Sequence, residues 1–316
     1  MNKLIIQIPC YNEAENLGVT IKDLPRKVEG FSKVEVLVID DGSTDGTADI
    51  ARKFEVDHIM RFIKNIGLAH AFIAGLNESV RLGADVIVNL DADNQYNAAD
   101  IPLIVAPILK GEAMIVIGSR PVEAMTHFSK IKKLLQKLGS FIVRIASRTD
   151  ILDAPSGFRA ISRDAAMRLN VFNEYTYTLE TIIEAGQKNM PIISIPVHTN
   201  KDLRPSRLVK SLFSYVKNSF ITIVRIFVVY KPFWSFMTAG LIVFFTGLPL
   251  GIRYLYFYMS GDTRGHVQSL MLFSILMITS FIIILVAFLA DLLSVNRHLL
   301  EDIQYRLKKL ELDGIK

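Results

Sequence analysis

Val86-Ile-Val-Asn-Leu-Asp-Ala-Asp-Asn-Gln95 is the stretch that decides the fold. Its β-branched and aliphatic run has the pattern of a strand buried on both faces, and it stops abruptly at two carboxylates and an amide. In open α/β sheets, ligands sit just beyond the carboxyl ends of such strands. Asp91, Asp93 and Gln95 alternate along the chain as it leaves the strand, so their oxygens can converge on one point. Hard oxygen ligands of this kind suit Mg²⁺ or Mn²⁺, with substrate phosphates completing the shell. Taken alone, the same residues also read as an acidic turn that binds no metal.

On either side, strands alternate with helical patterns. Residues 4–8, 34–39, 57–61, 84–90 and 114–118 read as strands, and 14–25, 44–54, 67–82 and 98–109 as helices, which implies a mostly parallel α/β sheet. Neither Gly-x-Gly-x-x-Gly nor Gly-x-x-x-x-Gly-Lys-Ser/Thr occurs, which argues against nicotinamide Rossmann enzymes and P-loop NTPases. With no glycine-rich phosphate cradle, a bound diphosphate would need a metal. The first strand ends in Pro9-Cys-Tyr-Asn-Glu13, where Pro9 is expected to stop the ladder, Tyr11 to offer a flat face and Glu13 an acceptor. The second ends in Asp40-Asp-Gly-Ser-Thr-Asp-Gly-Thr47. Ser43, Thr44 and Asp45 are expected to cap a helix, whereas Asp40 and Asp41 are placed to accept from ribose hydroxyls or a base N–H.

Pro-x-Tyr-Asn-Glu, Asp-Asp-Gly-Ser-Thr-Asp-Gly-Thr and Asp-Ala-Asp-x-Gln, in this order on three strand ends, resemble the inverting family 2 glycosyltransferases. Among these, the chain is most similar to polyprenyl-phosphate glycosyltransferases of the dolichyl-phosphate mannose synthase type. The resemblance continues through Gly118-Ser-Arg120, Asp153-Ala-Pro-Ser-Gly-Phe-Arg159, Leu179-Glu180 and Arg204-Pro-Ser-Arg207, covering roughly the first two-thirds of the chain. It implies an α/β fold of the GT-A nucleotide-diphosphosugar-binding type with a mostly parallel sheet, followed by two transmembrane α-helices. By the same resemblance, Pro9, Tyr11, Asn12, Glu13, Ile39, Asp40 and Asp41 hold the nucleoside, while Asp91 and Ala92 border the diphosphate. Asp91, Asp93 and Gln95 bind the metal, and Arg120, Arg204 and Arg207 face donor phosphates. An acceptor phosphate would meet Arg120, Lys132, Lys133, Gln136 and Ser206. Catalytic roles fall to Asp91, Asp93, Arg120, Asp153, Arg159 and Glu180, with Asp153 and Glu180 orienting Arg159, contacting sugar hydroxyls or serving as a base. The chain departs from the family pattern at three places. Asn65-Ile-Gly-Leu-Ala-His-Ala lacks the usual lysine, so His70 reads as a bystander. Lys132 and Gln136 stand where arginine and serine are usual, and Arg204 to Arg207 is a shorter basic spacing than is typical.

Charge and hydropathy supply the rest. The 316 residues carry a net charge of +5, and segments 120–148 and 201–231 each carry net +6, leaving the remainder at net −7. Such basic segments suit phosphorylated substrates or anionic head groups. Nucleic acid is not expected, because the positive residues cluster beside apolar spans rather than around exposed aromatics. The one cysteine, Cys10, excludes an intramolecular disulfide and reads as a small buried thiol. Met1-Asn-Lys runs straight into a strand without a signal-peptide pattern. Residues 232–252 and 267–290 are uncharged and long enough to cross a hydrocarbon core about 30 Å thick. Gly247, Pro249 and Gly251 point to a kink, and Trp234, Tyr254, Tyr256 and Tyr258 suit the interfaces.

The expected organisation is a cytoplasmic glycosyltransferase domain over 1–203, basic amphipathic interfacial helices over 204–231, two membrane helices with a short external loop over 232–293, and a cytoplasmic helical tail over 294–316. Positive-inside bias makes it a multi-pass protein of the cell (inner) membrane with both termini cytoplasmic. Leu299, Leu300, Ile303, Leu307 and Leu310 form one stripe, suited to homo-oligomer contacts or to lying against the chain's own domain. The expected reaction is inverting, metal-dependent transfer of a hexose from a nucleotide-diphosphate sugar to undecaprenyl or dolichyl phosphate. The product would be a lipid-phosphate-linked sugar for cell-envelope glycan or glycoprotein assembly. The competing readings are transfer to a hydroxyl of a lipid-linked sugar, a processive polysaccharide synthase, and a nucleotide-sugar sensor. The synthase signature Gln-x-x-Arg-Trp is absent, since Trp234, the single tryptophan, follows Phe233.

Overall fold

The apolar runs form parallel strands, β1 (Lys3–Cys10), β2 (Lys33–Asp40), β3 (His58–Arg61), β4 (Val86–Asn89) and β5 (Ile115–Ser119), and all but the half-buried edge strand β3 bury side chains on both faces. The computed structural model describes residues 2–120, 141–170 apart from 142, 145, 146, 148 and 152, 177–200, 225, 228–261 and 267–314. Two further strands that the periodicity did not reveal, β6 (Arg159–Ser162) and β7 (Ile192–Pro196), complete a seven-stranded sheet in the order β3-β2-β1-β4-β6-β5-β7. β6 is antiparallel to both neighbours, pairing Asn89 with Arg159 on one side and Ile117 with Arg159 on the other. This brings Asp153–Arg159 to the end of β4, beside the acidic turn.

β1 does not stop at Pro9. It runs to Cys10, paired with Asp40 of β2. Cys10 accepts from the Asp41 N–H, so its polar groups point toward β2 and those of Pro9 toward β4, where pairing has already ended at Asn89. Proline's missing donor therefore costs nothing there. Helices α1 (Ala14–Asp23), α2 (Thr47–Lys53), α3 (Leu68–Arg81), α4 (Ile101–Leu109), α5 (Arg163–Arg168) and α6 (Thr178–Gln187) flank the sheet. One core lies between the sheet and α1 and α4, built from Leu4, Ile6, Ile8, Leu17, Val36, Val38, Val88 and Ile104. Cys10 belongs to it; burial, reinforced by nearby carboxylates, pushes its thiol far above the usual range.

The chain divides into two units, 1–219 with 304–316, and 220–303. Helices α7 (Pro232–Met259) and α8 (Val267–Gly314) hold the two uncharged runs, both of which fall in the second unit. They pack antiparallel through small residues, as apolar helices do where backbones must approach closely. A Cβ at Gly240 would sit 2.7 Å from Ile284, one at Gly247 3.0 Å from Leu276, and one at Gly251 2.7 Å from Phe273. Ser280 donates its hydroxyl to the Gly240 carbonyl at 2.9 Å. The glycines that suggested a kink thus serve helix contact, and α7 continues through Pro249. Residues 204–224, 226 and 227 of the expected interfacial segment, with its motif Arg204, Ser206 and Arg207, lie outside the described residues, as do Lys132, Lys133 and Gln136.

At the amino ends of the strands, a buried Glu35 gathers the first residues of its own strand and of two neighbours. It accepts from Lys3 Nζ at 2.6 Å, pairs with His58 Nε2 at 2.8 Å, and pairs with Lys33. Burial alone would raise the Glu35 carboxyl, but these partners overturn it and pull the pKa down from 4.5 to about 2. A depressed carboxyl stabilises the fold above its unfolded pKa, and that contribution is lost as pH falls toward the folded value. Glu35→Gln should therefore lower stability at pH 7 by about 1–3 kcal/mol in thermal or denaturant unfolding. The gap should close as both proteins are taken below about pH 4; equal stability at pH 7 would sink this account.

Candidate active site

Three loops meet at the carboxyl ends of β1, β2 and β4. The first two are stitched together backbone to side chain. Asn12, held at φ 54°, donates its N–H to Ser43 Oγ and accepts from the Thr44 N–H through Oδ1, both at 2.9 Å. Glu13 N–H donates to Thr47 Oγ1 at 2.9 Å, and Ala14 N–H to Asp45 Oδ2 at 3.0 Å. This stitching explains why α2 starts at Thr47 rather than 44. Ser43, Thr44 and Asp45 reach across to the first loop, and the position before α2 is Gly46, held at φ 86°.

Both aspartates after β2 are buried and engaged. Asp40 accepts from the Ser43 N–H at 2.9 Å and lies 3.1 Å from Arg61 Nε. Asp41 accepts from the Ile66 N–H at 2.8 Å, the Gly67 N–H at 3.0 Å and Asn65 Nδ2 at 3.0 Å. Asp41 thus shapes the Asn65-Ile-Gly67 turn, and Gly42 lets that turn approach: a Cβ there would lie 2.4 Å from the Lys64 carbonyl carbon. Beside it, Tyr11 is exposed, Glu13 half-buried and Ile39 fully buried. His70 is exposed near the start of α3.

The third loop is held with more precision. Ala92 offers its carbonyl to Thr20 Oγ1 at 2.9 Å, and Asn94, at φ 55°, donates to Asp23 at 3.0 Å while its own carbonyl accepts from Asn200. Asp91 projects against a backbone. A Cβ on Gly157 would lie 2.3 Å from Asp91 Oδ2. The Gly157 peptide is gripped on both sides, its carbonyl accepting from Asn89 Nδ2 at 2.8 Å and its N–H donating to the Tyr96 hydroxyl at 3.2 Å. Tyr96 also meets Ser156 Oγ at 3.2 Å, and Ser156 donates to the Gly118 carbonyl at 2.5 Å. Asp91 itself accepts no hydrogen bond from the described residues. Burial and the adjacent Asp93 push its carboxyl up to about 7, against the pull of Arg120 and Arg159.

Two arginines provide the positive charge. Arg120 donates from Nε to Asp153 Oδ2 at 2.8 Å and from Nη2 to Asp153 Oδ1 at 3.0 Å, and its Nη1 reaches Gln95 Oε1 at 3.3 Å. Burial opposes the charge, but the two-oxygen grip outweighs it and holds Arg120 above its usual range. Asp153 therefore orients Arg120 rather than Arg159. Arg159 is completely buried and spends its donors on the Ala154, Ser156 and Thr178 carbonyls and on Thr181 Oγ1, tying the loop to the start of α6, where Glu180 is buried. The motifs do not single out Asn89 or Tyr96, although Tyr96 adjoins Gln95 and Asn89 lies two residues before Asp91. They also miss His198, whose Nδ1 is held by Asp100 at 3.1 Å and whose carbonyl accepts from Asn97. No local pattern marks that residue.

The family model described as glycosyl transferase family 2 matches residues 5–169, just over half of the chain. The chain belongs to glycosyl transferase family 2. It is 28% identical to the undecaprenyl-phosphate mannosyltransferase of Micrococcus luteus, over 62% of this chain and 82% of the relative. It is 26% identical to the polyprenol monophosphomannose synthase of Mycolicibacterium smegmatis, over 65% and 81%. Among solved structures, glucosyl-3-phosphoglycerate synthase of Mycobacterium tuberculosis, determined with Mn²⁺, UDP and its product, superimposes with a TM-score of 0.54 at 19% identity, covering 72% of this chain and 79% of that one. The fold is thus GT-A-like, and the protein is a family 2 glycosyltransferase.

A divalent ion fits the residues of this family 2 site. Asp91 and Asp93 repel one another, and a cation between them would relieve that repulsion. Among the described residues no group of three or more His, Cys, Asp or Glu is placed to hold a metal ion. Two carboxylates and one amide leave coordination positions open for substrate oxygens, as Mg²⁺ requires. Gly157→Ala should drive a methyl group into the Asp91 carboxylate and weaken Mn²⁺ binding, measured by titration with a nucleoside diphosphate present, by roughly 10–100-fold. Its melting temperature should stay near wild type; unchanged Mn²⁺ affinity would show that the close contact does not matter.

Proposed function

We propose that this family 2 enzyme transfers a hexose from a nucleotide-diphosphate sugar to a polyprenyl phosphate with inversion. The observation that carries the reading is the pairing of an acidic rim, Asp91 beside Asp93, with the oriented cation Arg120 at the end of β4. The names of the Micrococcus and Mycolicibacterium relatives support the acceptor class.

Tyr11, Glu13 and the loop shaped by Asp41 would hold the nucleoside. Asp93, Gln95 and Asp91 would hold Mg²⁺ or Mn²⁺. When bound, such an ion supplies positive charge against which a departing nucleoside diphosphate is stabilised. Arg120, fixed by Asp153, adds a second positive centre and cannot swing away without breaking two charge-assisted hydrogen bonds. A lipid phosphate with a second pKa of about 6 is already largely ionised at pH 7. Its oxygen can attack the anomeric carbon without a base, so the chain's work is orientation and electrostatics. Transfer to a sugar hydroxyl would need a general base. Asp153, with both oxygens on Arg120, is poorly suited to that role.

The apolar helices α7 and α8 fit a membrane anchor that brings the enzyme to its lipid acceptor. We place the glycosyltransferase domain, interfacial segment 204–231 and tail on the cytoplasmic side of the cell membrane, following the distribution of Lys and Arg. Purified enzyme incubated with polyprenyl phosphate and a panel of UDP- and GDP-sugars should move label into the organic phase only when Mg²⁺ or Mn²⁺ is present. Asp93→Ala should reduce that transfer by roughly 10²-fold or more while leaving the melting temperature near wild type. Full activity of the variant, or of wild type in EDTA, would refute the metal reading.

A further inference from the structure

Beyond its uncharged run, α8 presents two faces in different situations. On one face, Arg297 lies over the Tyr230 ring at 4.9 Å and donates to Glu301 at 2.8 Å. Farther along that face, Tyr305 donates its hydroxyl to Asp164 at 2.6 Å beneath the Arg168 guanidinium, 4.5 Å from the ring centre, and Lys308 donates to Asn77 at 3.1 Å. Partial burial of Lys308 lowers its pKa. About 140° around the helix, at 100° per residue, lie Leu300, Ile303, Leu307 and Leu310, exposed by 66, 53, 55 and 67%.

These four follow a 3-4-3 spacing, the a and d positions of successive heptads. Asp291 is the first charge after the uncharged run. At about 1.5 Å per residue, Leu300 lies roughly 14 Å and Leu310 roughly 28 Å beyond it. Arg306 and Glu311 flank the stripe on its two sides, so it is an apolar seam edged by charge.

We propose that this seam is the contact by which copies of the chain associate, as a parallel helical bundle. Arg306 falls at position g and Glu311 at position e of the next heptad. In a parallel bundle these two positions face each other across neighbouring helices, so each Arg306 meets a Glu311 of opposite charge. A lipid surface would require neither heptad spacing nor complementary flanks. The parallel sense rests on the membrane reading above, which gives every copy the same orientation in one bilayer. Leucine at both a positions with isoleucine at a d position favours three or four strands over two.

Cys10 is the native chain's single cysteine and is buried, so an introduced thiol reports alone. Full-length Leu310→Cys, reconstituted in liposomes at high lipid-to-protein ratio and oxidised mildly, should give a disulfide-linked pair. Lys309→Cys, on the far side of the helix, should give roughly tenfold less, because its thiols lie beyond bridging distance. Adding Arg306→Glu should cut Leu310→Cys linking several-fold, and adding Glu311→Arg as well should restore it. Equal linking at 309 and 310, or failure of the double charge reversal to restore it, overturns the proposal. Transfer to polyprenyl phosphate is assayed on the same samples. Persistent activity without linking would remove the seam and leave the proposed function standing, whereas linking without activity would do the reverse.

Discussion

The Asp91 carboxylate rests directly on the Cα of Gly157, with no space for a side chain between them. Much of the site follows from that contact. The Gly157 peptide is clamped by Asn89 from within β4 and by Tyr96 from the turn beyond it, so the two ends of the acidic stretch hold the loop that in turn confines Asp91. That loop begins at Asp153, which fixes Arg120, and ends at Arg159, which secures it to α6. A single seven-residue segment thereby sets the distance between the negative rim and its positive counterpart. Rigid placement of this kind is what an electrostatic catalyst needs, because dipoles and charges that need not reorganise during the reaction stabilise its transition state most effectively.

The two ends of the sheet treat charge in opposite ways. At the amino ends, Glu35 is surrounded by Lys3, Lys33 and His58, and the cluster satisfies itself. Asp41 and Asp45 at the carboxyl ends are likewise satisfied, mostly by backbone N–H groups that they organise into loops, and Asp40 takes the Ser43 N–H on one oxygen and the Arg61 charge beside the other. Asp91 differs from all of these. It has a like charge next to it and no hydrogen-bond donor among the described residues, and its pKa rises accordingly. A buried carboxylate raised by a like charge beside it marks a candidate functional site more clearly than acidity alone does.

In the apolar unit the packing logic changes. Within a bilayer, apolar side chains would gain nothing from associating with one another, and α7 and α8 meet where glycine removes the side chain and Ser280 can reach a backbone carbonyl. In the charged part of α8 exposed leucines are unfavourable again, and it is there that they adopt a regular heptad.

Sequence alone was enough for whatever depends on local order. The five parallel strands, the three strand-end motifs and the two uncharged runs were all legible, because period, turn chemistry and charge are properties of neighbouring residues. Membership in family 2 rests on the same order of motifs. Only the tertiary structure decided which partner each charged group takes. Asp153 lies 33 residues from Arg120 and six from Arg159, yet it pairs with the distant one, because antiparallel β6 carries Arg159 into the interior and returns Asp153 to the rim. Asp41 reads from its motif as a nucleoside contact, and the sheet adds that its oxygens hold a turn some 25 residues away. Tyr96 and Gly157 gained meaning only when the sheet brought them together. Pairings across the sheet follow from strand order, and no local period or motif encodes strand order.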